Sequence, residues 1–285
     1  MFLAVRSPNA LAKAEKKIRY AILCCADIER AIAKVAGDLP VPHCAFMIYP
    51  GDETRSLVMC LVKPVSDWAL DLVVDTLESR HAEAAYELYQ RIDGYWPASA
   101  FRAQLWEYKV QRYLCSSNLL SFRIQCLEDG DSSTMEWNPF KNMLTFDFGS
   151  SKEMVSHFHE CNAANKAGYF RPKSKTSESF DPIVYEPKKP LVNIQVTENH
   201  DHPIKTELLG PSDAVLKPLV SQPWIILFIV PIPMQAFFKK QKFVQTTLTK
   251  QKSDPNVTWT KKTKQYVLGL DKYDVFHCSS EGFSR

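Results

Sequence analysis

Trp224 to Met234 is an apolar run of eleven residues broken only by Pro231 and Pro233. A membrane-spanning helix needs about 20 consecutive apolar residues, so the run is predicted to be a strand buried on at least one side. A chain carrying such a strand must build a sheet beside it and cover that sheet. With 285 residues, 45% of them hydrophobic, there is material for one large core or two ordinary ones. Lys plus Arg number 35 and Asp plus Glu 32, a net charge of +3, which excludes a polybasic chain of the histone type.

Glycine narrows the function classes further. There are only 9 glycines, all widely separated, so G-x-x-x-x-G-K, G-x-G-x-x-G and G-x-S-x-G do not occur. Those glycines are what let a backbone approach phosphate or turn sharply under a nucleophile. A P-loop NTPase, a standard dinucleotide fold and a nucleophile-elbow hydrolase are therefore excluded in their usual forms. The 8 cysteines contain no C-x-x-C pair and sit within apolar stretches, which predicts buried, reduced thiols. The N-terminus lacks a long apolar segment before Lys13, so the chain is expected to be intracellular, in nucleus or cytoplasm, with no membrane association.

Periodicity places the elements. Leu11, Ala14, Ile18, Ile22, Cys25, Ile28, Ile32 and Val35 predict a helix over 10–36. The runs at 44–49 and 57–62, split by Pro50-Gly51-Asp52, predict a strand pair. Residues 65–92 read as helix broken near Ser79, and 98–116 as a further helix beyond Pro97. Strands are predicted at 120–126, 143–148, 180–186, 191–197 and 224–232, with Pro187-Lys-Lys-Pro190 closing a hairpin. The strand 191–197 is expected to be central, between 180–186 and 224–232. Ser150 and Glu153 form a capping box that opens a short helix to about 162. The segment 167–179 reads as polar turn, and 205–219 as helix. Eight lysines against Asp254 alone make 236–270 a basic, solvated tail. The expected class is α/β or α+β: an N-terminal portion over 1–96, a second domain over 97–270, and a tail from 271 to 285.

Several motifs carry chemistry at first sight. Asp147-Phe-Gly149 matches the kinase magnesium motif, but the glycine loop and catalytic-loop sequences that must accompany it are missing. His157-Phe-His-Glu-Cys161 spaces three zinc-type ligands two apart, which on a helix splits them between faces. Lys261, Lys262 and Lys264, close to Trp259 and Tyr266, suit a phosphate backbone with stacked bases, although lysine-rich surface is more often simply solvated. In the strand 191–197, Gln195 and Thr197 share one face, opposite Val192, Ile194 and Val196. Two polar groups on one face of an apolar strand need partners. Asp181 stands on the preceding strand and Glu107 on the helix 98–116. A helix acid, a strand acid and a strand x-polar-x-polar pair follow the order of a magnesium nuclease site, in which oxygen ligands hold a hard cation that activates water.

The stretch Tyr169-Phe-Arg-Pro-Lys173, Ser179-Phe-Asp181, Asn193-Ile-Gln195-Val-Thr197 and His202-Pro-Ile204 resembles the C-terminal domain of Crinkler and retrotransposon-hot-spot type proteins of eukaryotic microbes. Ala84-Ala-Tyr-Glu-Leu-Tyr89 and Leu105-Trp-Glu107-Tyr-Lys-Val110 are similar to the helical approach to that domain, so the resemblance covers about 80–235. The strand pair also resembles the end of the ATPase-like module that often precedes it, without its phosphate loop. The resemblance implies a restriction-endonuclease-like fold and a Mg²⁺ site in which Glu107 is the helix acid, Asp181 the metal aspartate and Gln195 the second strand ligand. His202 joins the site, and Thr197 takes the position of the family's catalytic lysine. Threonine supplies no cation, so Lys173, Lys175, His202 or Lys205 would have to replace it. Three functions follow as expectations. The first is a magnesium-dependent nuclease of an intracellular effector or selfish element, acting on DNA phosphodiesters. The second is an inactive module of the same fold that binds nucleic acid or a protein. The third is a decayed ATPase remnant.

Overall fold

The computed structural model describes residues 8–23, 46–50, 60–64, 66–95, 98–116, 121–128, 133–138, 143–172, 182–206, 224–244 and 259–278. The chain divides into two compact units, one running to Gln111 and taking in residues from Tyr273, the other running from Arg112 to Lys272. The division falls inside a helix. No helix of the described residues is long and apolar enough to cross a membrane.

The first unit begins with helix α1 (Pro8–Leu23), followed by strands β1 (Phe46–Pro50) and β2 (Cys60–Pro64), which pair antiparallel as the split apolar runs predicted. Residues 24–36 of the expected long helix lie outside the described residues. Helix α2 (Asp67–Arg80) starts where the Ser66 hydroxyl accepts the Ala69 N–H, the side-chain cap that satisfies an otherwise orphaned donor. The expected break comes at His81, before helix α3 (Ala84–Arg91). Helix α4 (Ser99–Ser116) follows. The helix Lys272–His277 contributes Val275 and Phe276, both buried, although 271–285 reads as a tail in the sequence. Phe276 packs against Tyr89 at a tilt and stacks on Trp106, with ring centroids 4.7 and 6.5 Å away.

The second unit is a mixed α/β domain on an eight-stranded sheet. Its strands are β3 (Phe122–Cys126), β4 (Thr134–Trp137), β5 (Leu144–Phe148), β6 (Gly168–Pro172), β7 (Ile183–Tyr185), β8 (Val192–Val196), β10 (Trp224–Pro231) and β12 (Thr263–Leu270). The order is β4-β3-β12-β10-β8-β7-β6-β5. Strand β10 lies parallel to both β8 and β12. The run β6-β7-β8 is an antiparallel meander, and β3 and β4 extend the β12 side antiparallel. As expected, β8 is interior, between β7 and β10, and every residue of β10 is buried. Two short strands, β9 (Ile204–Lys205) and β11 (Phe243–Val244), pair parallel apart from the main sheet. The helix predicted over 205–219 falls almost wholly on residues 207–223, outside the described residues.

Helix α5 (Ser151–Ala164) opens as its capping box predicted: Ser150 Oγ accepts the Glu153 N–H, and the Glu153 carboxylate accepts the Gly149 N–H at 2.6 Å. It ends at Asn165, whose left-handed backbone (φ 48°) lets Lys166 N–H close onto the Cys161 carbonyl. Residues 168–172, expected as turn, are instead strand β6. The polar sequence around them hid a buried pair: Tyr169 and Phe170 are fully covered. Gly168 is required there, because a Cβ would lie 2.6 Å from Cys161 Sγ on α5. The basic tail is corrected in the same way. Residues 263–270 form β12, inside the sheet, because Gln265, Tyr266, Val267 and Leu268 are buried while only Lys264 stays exposed.

Register aligns Phe146, Phe170, Ile183, Asn193, Ile226 and Gln265 in one row across six strands. Paired residues share a sheet face, so two amides stand among apolar side chains on one face. Helix α5 covers that face through Met154, Phe158 and Cys161, with the Phe158 and Phe170 rings 4.5 Å apart edge to face. Ile204 and Phe243 of the short strand pair, together with Phe238 and Trp259, belong to the same core.

Candidate functional site

Buried amides must find partners, and here they join distant parts of the chain. Gln265 is fully buried. Its carbonyl accepts the Gln241 backbone N–H at 2.8 Å, and its amide nitrogen donates to the Gln241 carbonyl at 2.9 Å. The Gln241 side chain then clamps the loop after β8: its nitrogen donates to the His200 and Lys239 carbonyls, and its oxygen accepts the His202 N–H at 2.7 Å. His202 Nε2 lies 3.1 Å from Gln195 Oε1, and Gln195 donates from its nitrogen to Asn193 Oδ1 at 2.8 Å. Gln265, Gln241, His202, Gln195 and Asn193 thus form one polar chain over the sheet. Beside it, Glu128 accepts the Gln265 N–H at 3.0 Å and pairs with Lys240.

The candidates from the sequence therefore separate. Gln195 and His202 are brought into contact. Thr197 is buried and its hydroxyl accepts the Asn199 N–H at 3.0 Å, which shapes the loop leading to His202. Glu107 belongs to the first unit, where it accepts a hydrogen bond from Gln111. Asp181, Lys173 and Lys175 lie outside the described residues. Pro182, next to Asp181, is buried, and its carbonyl accepts the Ile194 N–H at 2.8 Å. Lys261, Lys262 and Lys264 are exposed at the start of β12, and the Lys262 ammonium sits 5.1 Å from the Trp259 ring centroid. Asn193, Gln241 and Gln265 were not singled out in the sequence. Gln265 had a weak local signal, a polar residue next to the apolar run Tyr266–Leu268.

Burial and the Lys205 charge hold the His202 pKa below its usual value, against the opposing pull of Asp201. A protonated imidazole is disfavoured here, so with Nε2 carrying the single proton the ring donates to the Gln195 carbonyl. Because unfolding returns the histidine to a pKa near 6.5, the unfolded chain takes up the proton first as pH falls. Stability from this group is complete above that value and declines below it, down to the lowered folded pKa. His202→Gln should flatten the acid-side loss of urea stability between about pH 7.5 and 5. Equal pH slopes in both proteins would show that His202 does not carry the effect.

Magnesium asks for charged oxygen ligands. Among the described residues no three His, Cys, Asp or Glu side chains gather to hold a metal ion, and the amide of Gln195 is committed at both ends. The other sequence motifs have structural partners. Asp147 accepts two hydrogen bonds from Arg171, opposite it on β6, at 2.8 and 3.2 Å. His157 stacks on Phe146 and pairs with Glu160. Burial pushes the Cys161 thiol up to about 11 and that of Cys115 up to about 12, the latter against the charge of Arg171. Neither is a thiolate nucleophile at neutral pH.

Comparison with protein-family models, with curated proteins and with solved structures finds no match to this chain.

Proposed function

We propose that the second unit is a nuclease-like binding module that engages nucleic acid without magnesium-dependent cleavage. The observation that carries this reading is the engagement of Gln195 with Asn193 and His202. The residue in the second metal-ligand position serves the architecture instead, and the neighbouring imidazole is disfavoured as a cation. Exposed Lys261, Lys262 and Lys264 supply the charge that a phosphate backbone requires. The resemblance to the Crinkler and retrotransposon-hot-spot domain, through Gln195-Val-Thr197 and His202-Pro-Ile204, adds the nuclease-like class. A magnesium nuclease is the second reading. It is favoured by one observation, the anchoring of Pro182, the neighbour of Asp181, onto β8 at Ile194.

The purified chain is expected to bind DNA in EDTA and to leave it uncut when Mg²⁺ or Mn²⁺ is added. Changing Lys261, Lys262 and Lys264 to Glu should lower the salt slope of duplex binding by about 0.9 for each phosphate that is no longer neutralised. Metal-dependent cleavage that falls at least ~10²-fold in Asp181→Asn would establish the nuclease reading in its place. A chain that neither binds nor cuts would end both.

A further inference from the structure

We propose that the surface built by residues 200–205 and 236–244 is a docking platform for single-stranded nucleic acid, with Phe237 as the stacking group and Lys205, Lys239 and Lys242 as the phosphate contacts. This deepens the nucleic-acid reading above and rests on it.

The alternation of the chain aims these residues outward. Phe238, Gln241 and Phe243 are buried, whereas Phe237 before them and Lys239 and Lys242 between them are exposed. On the paired strand Ile204 is buried and Lys205 exposed. Ile204 and Phe243 are register partners facing the core, so Lys205 and Lys242 project from the opposite face of the β9–β11 ribbon. Phe237 is 72% exposed, unusual for so large an apolar ring. It is also held in place: its N–H bonds the Met234 carbonyl at 3.1 Å, while the following Phe238 ring packs 5.1 Å from Phe228.

Charge selects the partner. No ion pair among the described residues takes Lys205, Lys239 or Lys242, and the described part of the facing loop offers only Asp201 as an exposed acid. Lys240 is neutralised by Glu128, and Glu198 by Lys272. An exposed aromatic ring followed within five positions by the exposed Lys239 and Lys242 suits a polymer that alternates flat bases with phosphates. An acidic peptide would use the lysines and leave the ring without a planar partner. The two segments are already locked together by the Gln241 side chain and by Ile204 N–H to the Lys242 carbonyl at 2.9 Å. Little ordering entropy is then lost on docking, which favours affinity.

Fluorescence anisotropy of a labelled oligothymidylate with the full chain in EDTA tests the platform. Phe237→Ala is expected to weaken binding roughly tenfold or more, and Phe237→Trp to preserve it, since stacking on an aromatic ring is the interaction removed or kept. The triple change Lys205→Ala, Lys239→Ala, Lys242→Ala should reduce the salt slope by about 2, at about 0.7 per phosphate on a single strand. Circular dichroism of each variant should match the parent, because all four side chains are exposed. Wild-type binding that is indifferent to Phe237 and to the three lysines overturns the platform and leaves the nucleic-acid reading on Lys261, Lys262 and Lys264. Polyglutamate displacing the oligonucleotide with the same lysine sensitivity, and with no effect of Phe237→Ala, overturns it in favour of an acidic peptide. Absence of any nucleic-acid binding by the wild type removes both the platform and the reading beneath it.

Discussion

Gln265→Leu is expected to destabilise the second unit by on the order of 4 kcal/mol. The substitution is close in size and apolar, so it leaves no large cavity on the sheet. Its cost comes from the Gln241 backbone, whose N–H and carbonyl both end on the Gln265 amide. Each buried polar group left without a partner costs about 1–3 kcal/mol. A domain of ordinary stability, about 5–15 kcal/mol, would lose a large part of its margin. The urea midpoint should fall with little change in slope. Hydrogen exchange at the His202 amide should accelerate as well, because that N–H is held by the Gln241 side chain. A loss under about 1 kcal/mol, with unchanged exchange at His202, would show that the Gln265–Gln241 pair is incidental.

The second large effect is in the first unit. The Lys109 ammonium, its side chain only 4% exposed, lies 2.6 Å from Glu78 Oε1 and 5.6 Å from the Phe276 ring centroid. Removing one partner of a buried pair leaves the other charge without compensation, at about 3–5 kcal/mol, whereas replacing both members by apolar side chains of similar volume is often close to neutral. Glu78→Gln should therefore cost about 3 kcal/mol, at the low end because Glu78 is partly exposed. The double change Glu78→Met, Lys109→Met should cost clearly less, since no partly buried charge is left unpaired and the methionine at 109 fills the same volume beside Phe276. Thermal or urea unfolding of the two variants decides the matter: equal losses would mean that the pair acts through packing and not through charge.

Much of the scaffold was legible because its signals are local. The capping residues Ser150 and Glu153, the alternation of Phe122, Ile124 and Cys126, and the apolar run Trp224–Pro231 each declare an element within a few residues. The central place of β8 followed from the same logic, since apolar strands demand neighbours. The misreadings fall where local composition and tertiary burial disagree. Strand β6 is short and lies in polar sequence, and β12 begins among lysines, so both read as surface until the sheet supplies β7 and β10 as partners.

The candidate site divides along the same line. From Gln195 and Thr197 on one face of an apolar strand, the sequence by itself determined that polar partners were needed. It could not identify them, because hydrogen bonds join residues far apart in the chain: His202 reaches Gln195, Gln241 reaches His202, and Gln265 reaches Gln241. Only the tertiary structure decided that the Gln195 amide is spent on protein and that Glu107 belongs to the other compact unit. It also decided that Phe237 stands exposed while Phe238 enters the core. Periodicity records which residues need burial, but a sheet must close before any of them acquires the partner that satisfies it.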